Sequence, residues 1–376
     1  MKIGILTLPL HTNYGGILQA YALQTVLERM GHEVVVISRN FNFEKLPPFW
    51  KLPLSIIKRC IRKYLLRQNV YIFSESHKNK IYKTISQHTQ MFVDQYIHTF
   101  IIEKFEELKE SDFDCIVVGS DQVWRKKYFT YQYATTIDNA YLAFAKNWNI
   151  QKIVYAASFG SEDWEYDDED TQKCKNLIQQ FQVVSVREDS GVQLCKEKFG
   201  VEAIQLLDPT LLLKKEDYIK LFKDKTGPSL GDLMVYILDE SQKSDQILSE
   251  VIKQTKLRPF RTVAKKASQT DILEERIQPS PESWLRGFYD AKFIVTDSFH
   301  ACVFSIIFNK PFLVIGNESR GLSRFSSFLK QFHLEDRLIT NVEETIQKLN
   351  FTPPDSQQVI LTLKESSDRF LRNMLG

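Results

Sequence analysis

The chain has 376 residues, of which 43% are hydrophobic and 26% are charged. This is the composition of an ordinary globular protein of about two domains, and it excludes collagen-like, linker-dominated and disordered chains. The 49 Lys and Arg residues nearly balance the 47 Asp and Glu residues, for a formal net charge of +2. General nucleic-acid binders carry a larger basic excess, so we expect no nucleic-acid partner.

The cysteines are scattered and no two of them form a CxxC pair; they are Cys60, Cys115, Cys174, Cys195 and Cys302. We interpret them as thiols in a reducing compartment and not as a disulfide or zinc framework, and we expect no metal site. The first residues lack the long apolar stretch and the cleavage site of a signal peptide. No apolar run is long enough to cross a bilayer. These features predict a cytoplasmic protein.

The chain opens with the pattern of a strand, a loop, a helix and a second strand. Apolar spacing predicts a strand at 2–8, a helix at 17–30 and a buried strand at 33–38. This βαβ start implies a parallel sheet with a right-handed crossover. Further strands are predicted at 113–118, 152–157, 182–186 and 203–207. The segment 119–128 between two of these strands is predicted to be a loop.

A second alternation of strands and helices follows residue 208. Strands are predicted at 233–238, 293–296 and 312–315, and helices at 242–254, 282–289, 299–308 and 356–375. Asp208 precedes a proline, which disfavours helix, so we interpret it as a domain boundary. We expect an α/β fold of two Rossmann-like domains facing across a cleft. Their predicted bounds are 1–207, with a basic helical insertion at about 45–110, and 208–350, with 351–376 returning to the first domain.

Ligands of open parallel sheets bind beyond the carboxyl ends of the strands. One such segment is Thr296-Asp297-Ser298-Phe299-His300. Asp297 or Ser298 is suited to cap the helix that follows, and His300 then lies in its first turn with a surface-facing side chain. Free N–H groups and an imidazole make that turn an anion site. The alternative is a structural histidine beside a capping residue.

Three arginines follow predicted strands. Arg187 ends the strand VVSV and suits a phosphate or a carboxylate. The alternative is an ion pair with Glu188 or Asp189. Arg320 and Arg324 are four residues apart, on one face of a helix near the expected anion site, and the alternative is a solvated surface pair.

Polar and aromatic residues in two other loops suit a sugar. In GSDQVW, Asp121 is an acid at a strand end, Gln122 can hydrogen-bond to hydroxyls, and Trp124 can stack on a sugar ring. The alternative is an Asx turn in which Trp124 fills a domain seam. The loop NYGG places Asn13, Tyr14 and Gly15 towards a ligand, although it lacks the Walker and GxGxxG spacings.

A basic segment lies between residues 45 and 74, which contain no Asp or Glu; its cations are Lys45, Lys51, Lys58, Arg59, Arg62, Lys63 and Arg67. Apolar residues recur within it at helical spacing. This pattern predicts a basic amphipathic helix near 54–68 that can lie on an anionic membrane surface. The alternative is a helix packed on its own domain with a solvated basic face.

Taken together and in order, these motifs resemble the polysaccharide pyruvyl transferase family over roughly residues 1–345. The resemblance rests on the NYGG loop, VVGSDQVW, VSVREDSG, LDPTLLL and VTDSFHACVFSIIFNKPFLVIGN. It implies a GT-B-like fold and transfer of the enolpyruvyl carbon of phosphoenolpyruvate onto sugar hydroxyls, which leaves a cyclic pyruvate ketal and phosphate. It further implies phosphoenolpyruvate as co-substrate without another cofactor, and a sugar or lipid-linked oligosaccharide acceptor in exopolysaccharide or capsule biosynthesis at the inner face of the membrane.

The resemblance also assigns roles to residues. The family's donor-site arginine after a strand of the first domain matches Arg187, and the histidine of its Arg-x-His motif matches His300. His300 is then the acid or base that also contacts phosphate, Arg187 clamps the donor, and Asp121 is a base for the acceptor hydroxyl. The first domain becomes the acceptor side and the second the donor side.

One residue departs from the family pattern. Ser298 stands where family members often have arginine, so one charge is missing beside Phe299 and His300 in the donor site. Arg320 and Arg324 are the candidates to replace it. Two other functions stay open: a GT-B-like nucleotide-sugar glycosyltransferase, with an acidic residue of the second domain on a ribose, and a non-catalytic polysaccharide assembly protein that works through the basic helix.

Overall fold

The computed structural model of the protein describes residues 1–39, 52–65, 72–267, 269–270, 272–316 and 322–376. Within these residues the strands form one sheet of seven and one sheet of five, and neighbouring strands run parallel throughout. The predicted α/β fold with two Rossmann-like sheets is confirmed.

The first sheet has the strand order β3-β2-β1-β4-β5-β6-β7. Its strands are β1 (Lys2–Leu6), β2 (Glu33–Ser38), β3 (Thr99–Ile101), β4 (Cys115–Val118), β5 (Gln151–Ala157), β6 (Val183–Val186) and β7 (Ile204–Gln205). The second sheet has the order β12-β11-β10-β8-β9. Its strands are β8 (Leu233–Tyr236), β9 (Pro259–Arg261), β10 (Phe293–Thr296), β11 (Phe312–Ile315) and β12 (Leu338–Ile339).

Helices cover both faces of the sheets. They are α1 (Tyr14–Arg29), α2 (Leu52–Cys60), α3 (Ser74–Ile85), α4 (Gln87–Tyr96), α5 (Lys126–Tyr133), α6 (Asp168–Ile178), α7 (Asp189–Leu194), α8 (Lys215–Phe222), α9 (Gln242–Thr255), α10 (Pro281–Asp290), α11 (Phe299–Ile307), α12 (Leu322–Gln331), α13 (Glu343–Lys348) and α14 (Gln357–Leu375). π-helical turns extend α2 (Ile61–Leu65) and α7 (Cys195–Phe199). No helix in the described part of the chain is both long and apolar enough to cross a bilayer.

Several elements differ from the sequence-based expectation. α1 begins three residues early because the side chain of Asn13 accepts a hydrogen bond from Gly15 N at 3.1 Å and caps the helix. α5 begins at Lys126, inside a segment predicted to be a loop. The three strands that the pattern missed, β3, β9 and β12, have two or three residues each and lie at sheet edges, where little alternation can show.

A hydrophobic core shared by the two sheets joins them. Tyr14, at the start of α1, is fully buried and stacks on Trp284 of α10, with ring centroids 5.2 Å apart. The Tyr14 hydroxyl donates to the carbonyl of Pro279 at 2.6 Å. Two further clusters cover the outer faces of the sheets. The first turn of α1 is therefore fixed against the second sheet's layer.

The chain returns to the first sheet through α14. Phe370 lies 6.0 Å from the ring of Tyr155 in β5, and Gln151 at the start of β5 donates to the carbonyl of Met374 at 2.7 Å. Between β2 and β4 the chain carries α2, α3 and α4 and also β3, which belongs to the sheet. The domain bounds given above stay a prediction.

Candidate active site

A cavity of about 640 Å³ opens between the two sheets. Loops that follow β1 and β4 line it from the first sheet, and loops that follow β8, β9 and β10 line it from the second. The crevice beyond the carboxyl ends of parallel strands is the usual ligand site of such sheets. The cavity is therefore where the strand-end rule places a ligand.

Five charged or titratable side chains, which we call the charge cluster, lie together at and beneath the floor of this cavity: Asp121, Arg187, Asp208, His300 and Arg324. Each residue is at most 7% exposed. Buried charges are costly unless they are paired, so the cluster must balance itself or be balanced by a ligand.

Arg187 forms ion pairs through both of its terminal nitrogens, but of the two only Nη1 also makes a hydrogen bond. Its Nη1 lies 2.7 Å from Oδ2 of Asp208, and its Nη2 lies 3.7 Å from Oδ1 of Asp121. Burial by itself lowers the pKa of Arg187, but the carboxylates of Asp208 and Asp121 outweigh it, and the pKa is raised. Among the described residues, Nε and Nη2 have no hydrogen-bond partner. These two atoms form one edge of the guanidinium, which is the edge that binds a carboxylate or phosphate in a bidentate manner.

The alternative for Arg187, an ion pair with Glu188 or Asp189, names the wrong partners. Glu188 turns away and accepts hydrogen bonds from Ser158 Oγ at 2.9 Å and Phe159 N at 2.8 Å. The ion pairs of Arg187 are instead with Asp208 and Asp121, which come from other strand ends.

The sequence analysis did not place Asp208 in the site, because it interpreted this residue as a domain boundary. Its Oδ1 accepts hydrogen bonds from Thr210 N at 3.0 Å and Thr210 Oγ1 at 2.7 Å. Burial alone would raise the pKa of Asp208, but the charges of His300 and Arg187 and the Thr210 hydroxyl hold it well below its usual range. The signal was available: Asp208 follows β7, at the same sheet edge as Asp121 and Arg187.

His300 lies in the first turn of α11, as predicted, but it is buried and does not face the surface. Its Nε2 lies 3.4 Å from Oδ2 of Asp208, and its side chain is 8% exposed. Behind the ring, a β-carbon on Gly15 would lie 2.0 Å from Nδ1. Gly15 therefore packs against the imidazole of His300. It does not contact a ligand in the way that the sequence analysis expected.

The cap of α11 also differs from expectation. Ser298 is the N-cap residue, but its side chain makes no capping hydrogen bond. Asp297 accepts from the backbone N–H groups of Leu238 at 2.7 Å and Asp239 at 2.8 Å. Its carboxylate therefore fixes the loop after β8 instead of capping α11, because the neighbouring strand end lies within its reach.

Arg324 is buried, so the interpretation of a solvated surface residue is wrong for it. The guanidinium carbon of Arg324 lies 5.8 Å from the ring centroid of Phe299, and that of Arg187 lies 4.4 Å from the same ring. Burial and the charge of Arg187 lower the pKa of Arg324 to about 10, so it stays charged at neutral pH. Arg320 lies outside the described residues.

The expected sugar-binding residues divide into two groups. Asn13 and Gln122 line the cavity. Tyr14 and Trp124 do not, since both are fully buried. Trp124 stacks on Tyr141, with centroids 4.9 Å apart, and its Nε1 donates to the carbonyl of Ala140 at 3.3 Å. Trp124 fills a core cluster of the first sheet. Because Tyr14 and Trp124 are both fully buried, neither of them can stack on a sugar.

Several residues line the cavity that the sequence analysis did not predict. They are Tyr82, Tyr128, Gln132, Tyr236, Lys265 and Arg276. Tyr82, Tyr128 and Gln132 sit on helices, so a rule that inspects only strand ends cannot find them. In the part of the chain that the structure describes, no group of three or more His, Cys, Asp or Glu side chains is arranged to hold a metal ion.

The solved structures to which this chain is similar share little sequence with it. UDP-GlcNAc 2-epimerase from Methanocaldococcus jannaschii is 12% identical over 99% of both chains, with a TM-score of 0.49. A putative UDP-N-acetylglucosamine 2-epimerase from Listeria monocytogenes is 12% identical over 100% of this chain and 92% of its own, with a TM-score of 0.48. A ugt transferase from Siraitia grosvenorii is 11% identical over 100% of both chains, with a TM-score of 0.43.

No curated protein sequence matches the chain. The sequence model of one family does match, over residues 13–319, which is more than half of the chain. That span includes Asn13, Asp121, Arg187, Asp208 and His300, which lie in or at the edge of the cavity and the charge cluster. The chain belongs to the polysaccharide pyruvyl transferase family.

Proposed function

We propose that this protein transfers the enolpyruvyl carbon of phosphoenolpyruvate onto two hydroxyls of one sugar, forming a cyclic pyruvate ketal and releasing phosphate. The observation that carries the proposal is the Nε–Nη2 edge of Arg187, which is buried and has no hydrogen-bond partner among the described residues. A buried guanidinium edge of this kind is costly unless a ligand fills it. A planar carboxylate or a phosphate fits it.

The charges around this edge suit a strongly anionic donor. Phosphoenolpyruvate carries about three negative charges at neutral pH, shared between a carboxylate and a phosphate. Arg187 and Arg324 supply cationic groups beside Phe299, and the imidazole of His300 lies against the same ring. Arg324 is the residue we assign to the charge that Ser298 lacks. Without an anion between them, Arg187 and Arg324 repel each other, and that repulsion contributes to the lowered pKa of Arg324.

The proposed reaction balances with the donor and one sugar. A proton adds to the methylene carbon and makes it a methyl group, so positive charge develops on the neighbouring carbon. One hydroxyl attacks that carbon, phosphate leaves, and a second hydroxyl closes the ring. Of the two hydroxyl protons, one replaces the proton used at carbon and the other leaves with phosphate. His300 gives the first proton, Asp121 accepts from the attacking hydroxyl, and Arg187 fixes the donor.

The cavity supports a sugar as the acceptor. Asn13 and Gln122 offer amide groups at its wall, and Tyr128 offers a partly exposed ring. These are groups that hydrogen-bond to hydroxyls or cover a sugar face. We assign the reaction to the biosynthesis of a surface polysaccharide, either capsule or exopolysaccharide, with no cofactor besides the co-substrate.

A nucleotide-sugar glycosyltransferase has less support. It needs an acidic side chain of the second unit for the ribose hydroxyls. Asp297 is the only acidic residue from that unit in the described wall of the cavity. Both of its oxygens already accept backbone hydrogen bonds from the loop after β8.

We assign the protein to the cytoplasmic face of a membrane because of α2 and the turn that follows it. Large apolar side chains are exposed there at helical spacing: Leu54 by 70%, Ile57 by 55%, Ile61 by 46% and Tyr64 by 69%. Lys58, Arg62 and Lys63 lie between them in the sequence. Exposed apolar residues with adjacent cations fit an anionic lipid surface, where a lipid-linked acceptor would be. Arg59 does not belong to this surface, because its guanidinium pairs with Glu75 and donates to the carbonyl of Ile72 at 3.1 Å.

Calorimetric titration with phosphoenolpyruvate tests the donor assignment. Arg187→Lys keeps the charge but loses the two-nitrogen edge, so we expect about 10- to 100-fold weaker binding. Arg29→Lys is the matched control, since Arg29 is half exposed and pairs with Asp217 away from the cavity. Failure of the unchanged protein to bind phosphoenolpyruvate, or equal binding by Arg187→Lys, contradicts the proposal.

A further inference from the structure

Asp208 connects the two residues that have the main roles towards the proposed donor. Its Oδ2 lies 2.7 Å from Nη1 of Arg187 and 3.4 Å from Nε2 of His300. These partners come from different sheets, since Arg187 follows β6 and His300 lies in α11. One carboxylate oxygen, with no exposed surface on its side chain, is thus the point where the two halves of the site meet.

We infer that Asp208 is a positioning residue whose negative charge favours the protonated form of His300 and whose contact with Nη1 turns the Nε–Nη2 edge of Arg187 towards the donor. The part that concerns the donor rests on the proposed function. The part that concerns the proton on His300 is a property of the protein alone and is testable without any substrate.

The orientation of Asp208 is set by its neighbours and not by its partners in the cluster. Thr210 donates to Oδ1 from both its backbone nitrogen and its hydroxyl, and the short helical turn Pro209–Leu212 begins there. Oδ2 is thereby aimed at Arg187 and His300. Because Arg187 uses Nη1 for this contact, its Nε and Nη2 remain on the other edge of the guanidinium.

Asp208 is one of several charged groups near His300, and these groups carry charges of both signs. The carboxylate of Asp208 contacts the imidazole, and Gly15 at the N-terminal end of α1 packs against the ring. Asp121, Asp297 and Arg324 line the same cavity as His300, and Arg187 pairs with the same carboxylate of Asp208. Asp297 is turned towards the loop after β8, and Asp121 is an ion-pair partner of Arg187. Asp208 is therefore the carboxylate that most directly favours the imidazolium ion.

A proton on His300 matters for the proposed reaction in two ways. The methylene carbon of the donor must receive a proton, and a neutral imidazole flanked by cations is a poor source of one. The imidazolium charge also favours the phosphate. Among the described residues, Nε2 of His300 has one ion-pair contact, to Oδ2 of Asp208, and no hydrogen-bond partner.

Titration of His300 by NMR, in protein with labelled histidine rings and no substrate, tests this inference. The His300 signal is assigned by its loss in His300→Gln. In Asp208→Asn, which keeps the shape and removes the charge, the midpoint of the His300 titration is expected to move to lower pH by at least about one unit. Asp217→Asn, which removes a carboxylate that pairs with Arg29 outside the charge cluster, should leave the midpoint in place. An unchanged midpoint in Asp208→Asn overturns the inference.

A second measurement separates positioning from mere support of the fold. In Asp208→Asn the transfer rate should be lost at lower pH than in the unchanged protein, because His300 gives up its proton earlier. A residue that only supports the fold would lower the rate by the same factor at every pH, and that result contradicts the inference. A shifted NMR midpoint without any pyruvyl transfer would contradict the proposed function and leave the role of Asp208 towards His300 standing.

Asp208→Glu decides the matter if Asp208→Asn does not fold. Glutamate keeps the charge but moves the carboxylate along the chain by one methylene. The His300 midpoint should then stay close to that of the unchanged protein while turnover falls, because Arg187 is turned. A midpoint that moves down as though the charge were lost contradicts the inference.

Discussion

A β-carbon on Gly15 would lie 2.0 Å from Nδ1 of His300. The first turn of α1 and the first turn of α11 therefore touch, and the imidazole occupies the space that glycine leaves open. Gly15 does not serve a flexible loop, since Asn13 caps the helix that begins at Tyr14. The absence of a side chain at Gly15 lets His300 of α11 lie against α1.

Gly15→Ala should lower the transfer rate about 100-fold, because a displacement of about 1 Å at a reacting group costs that much. Phosphate release from phosphoenolpyruvate in the presence of an acceptor is the measurement. Gly227→Ala is the matched control, because a β-carbon there meets no atom within 4 Å. Equal rates for the two variants would show that the contact with His300 has no part in the reaction.

His300→Ala should lower the transfer rate by about 10²–10⁴-fold, as loss of a general acid does. The variant should also melt at a lower temperature, because His300 is buried beside Asp208 and a surface-facing histidine would have cost little. His300→Gln should melt closer to the unchanged protein, since it fills more of the space. Near-normal turnover of a folded His300→Ala protein would make His300 structural.

The strand-end rule found Arg187, His300 and Asp121 because backbone topology alone brings the carboxyl ends of parallel strands to one edge. The same rule failed for Tyr14 and Trp124. They also follow strands, but they turn into the core, and one sequence does not show the direction of a side chain after the strand ends.

Asp208 shows a different limit. Asp208 directly follows the strand predicted at 203–207, but its sequence neighbour Pro209 is typical of a domain boundary, so the pattern favours a boundary over a ligand-binding strand end. Tyr82 and Tyr128 were out of reach because their helices approach the cavity only in three dimensions. Fold class and the main cationic residues were thus predictable, whereas the carboxylate between them was missed.

Arg324→Ala should raise the KM for phosphoenolpyruvate about 10- to 100-fold, because the anion loses the hydrogen bonds and the positive charge of one guanidinium group. Adding Ser298→Arg to this variant restores the commoner family residue on the same side of the cavity and should recover most of the affinity. Recovery would place residues 298 and 324 at one anion. No recovery, with both proteins folded, would show that Arg324 does not replace the family arginine.

Lys58, Arg62 and Lys63 changed together to Glu should abolish binding to vesicles that contain phosphatidylglycerol, since each cation contributes about 1 kcal/mol. Co-sedimentation at low and high salt measures this. A matched control changes three other exposed lysines to Glu, namely Lys196, Lys220 and Lys253. Binding that is absent from the unchanged protein, or lost equally in both variants, would remove the membrane from the proposal.

The proposed reaction gives the three-carbon unit of phosphoenolpyruvate to a sugar in the cavity beside Arg187 and His300. Its most direct test is to incubate the protein with phosphoenolpyruvate and surface-polysaccharide oligosaccharides, and to measure phosphate release together with the mass of the acceptor. We expect one phosphate to be released for each ketal formed, and both products to be lost in Arg187→Lys. Transfer of a sugar from a nucleotide by the same preparation, with no product from phosphoenolpyruvate, would contradict it.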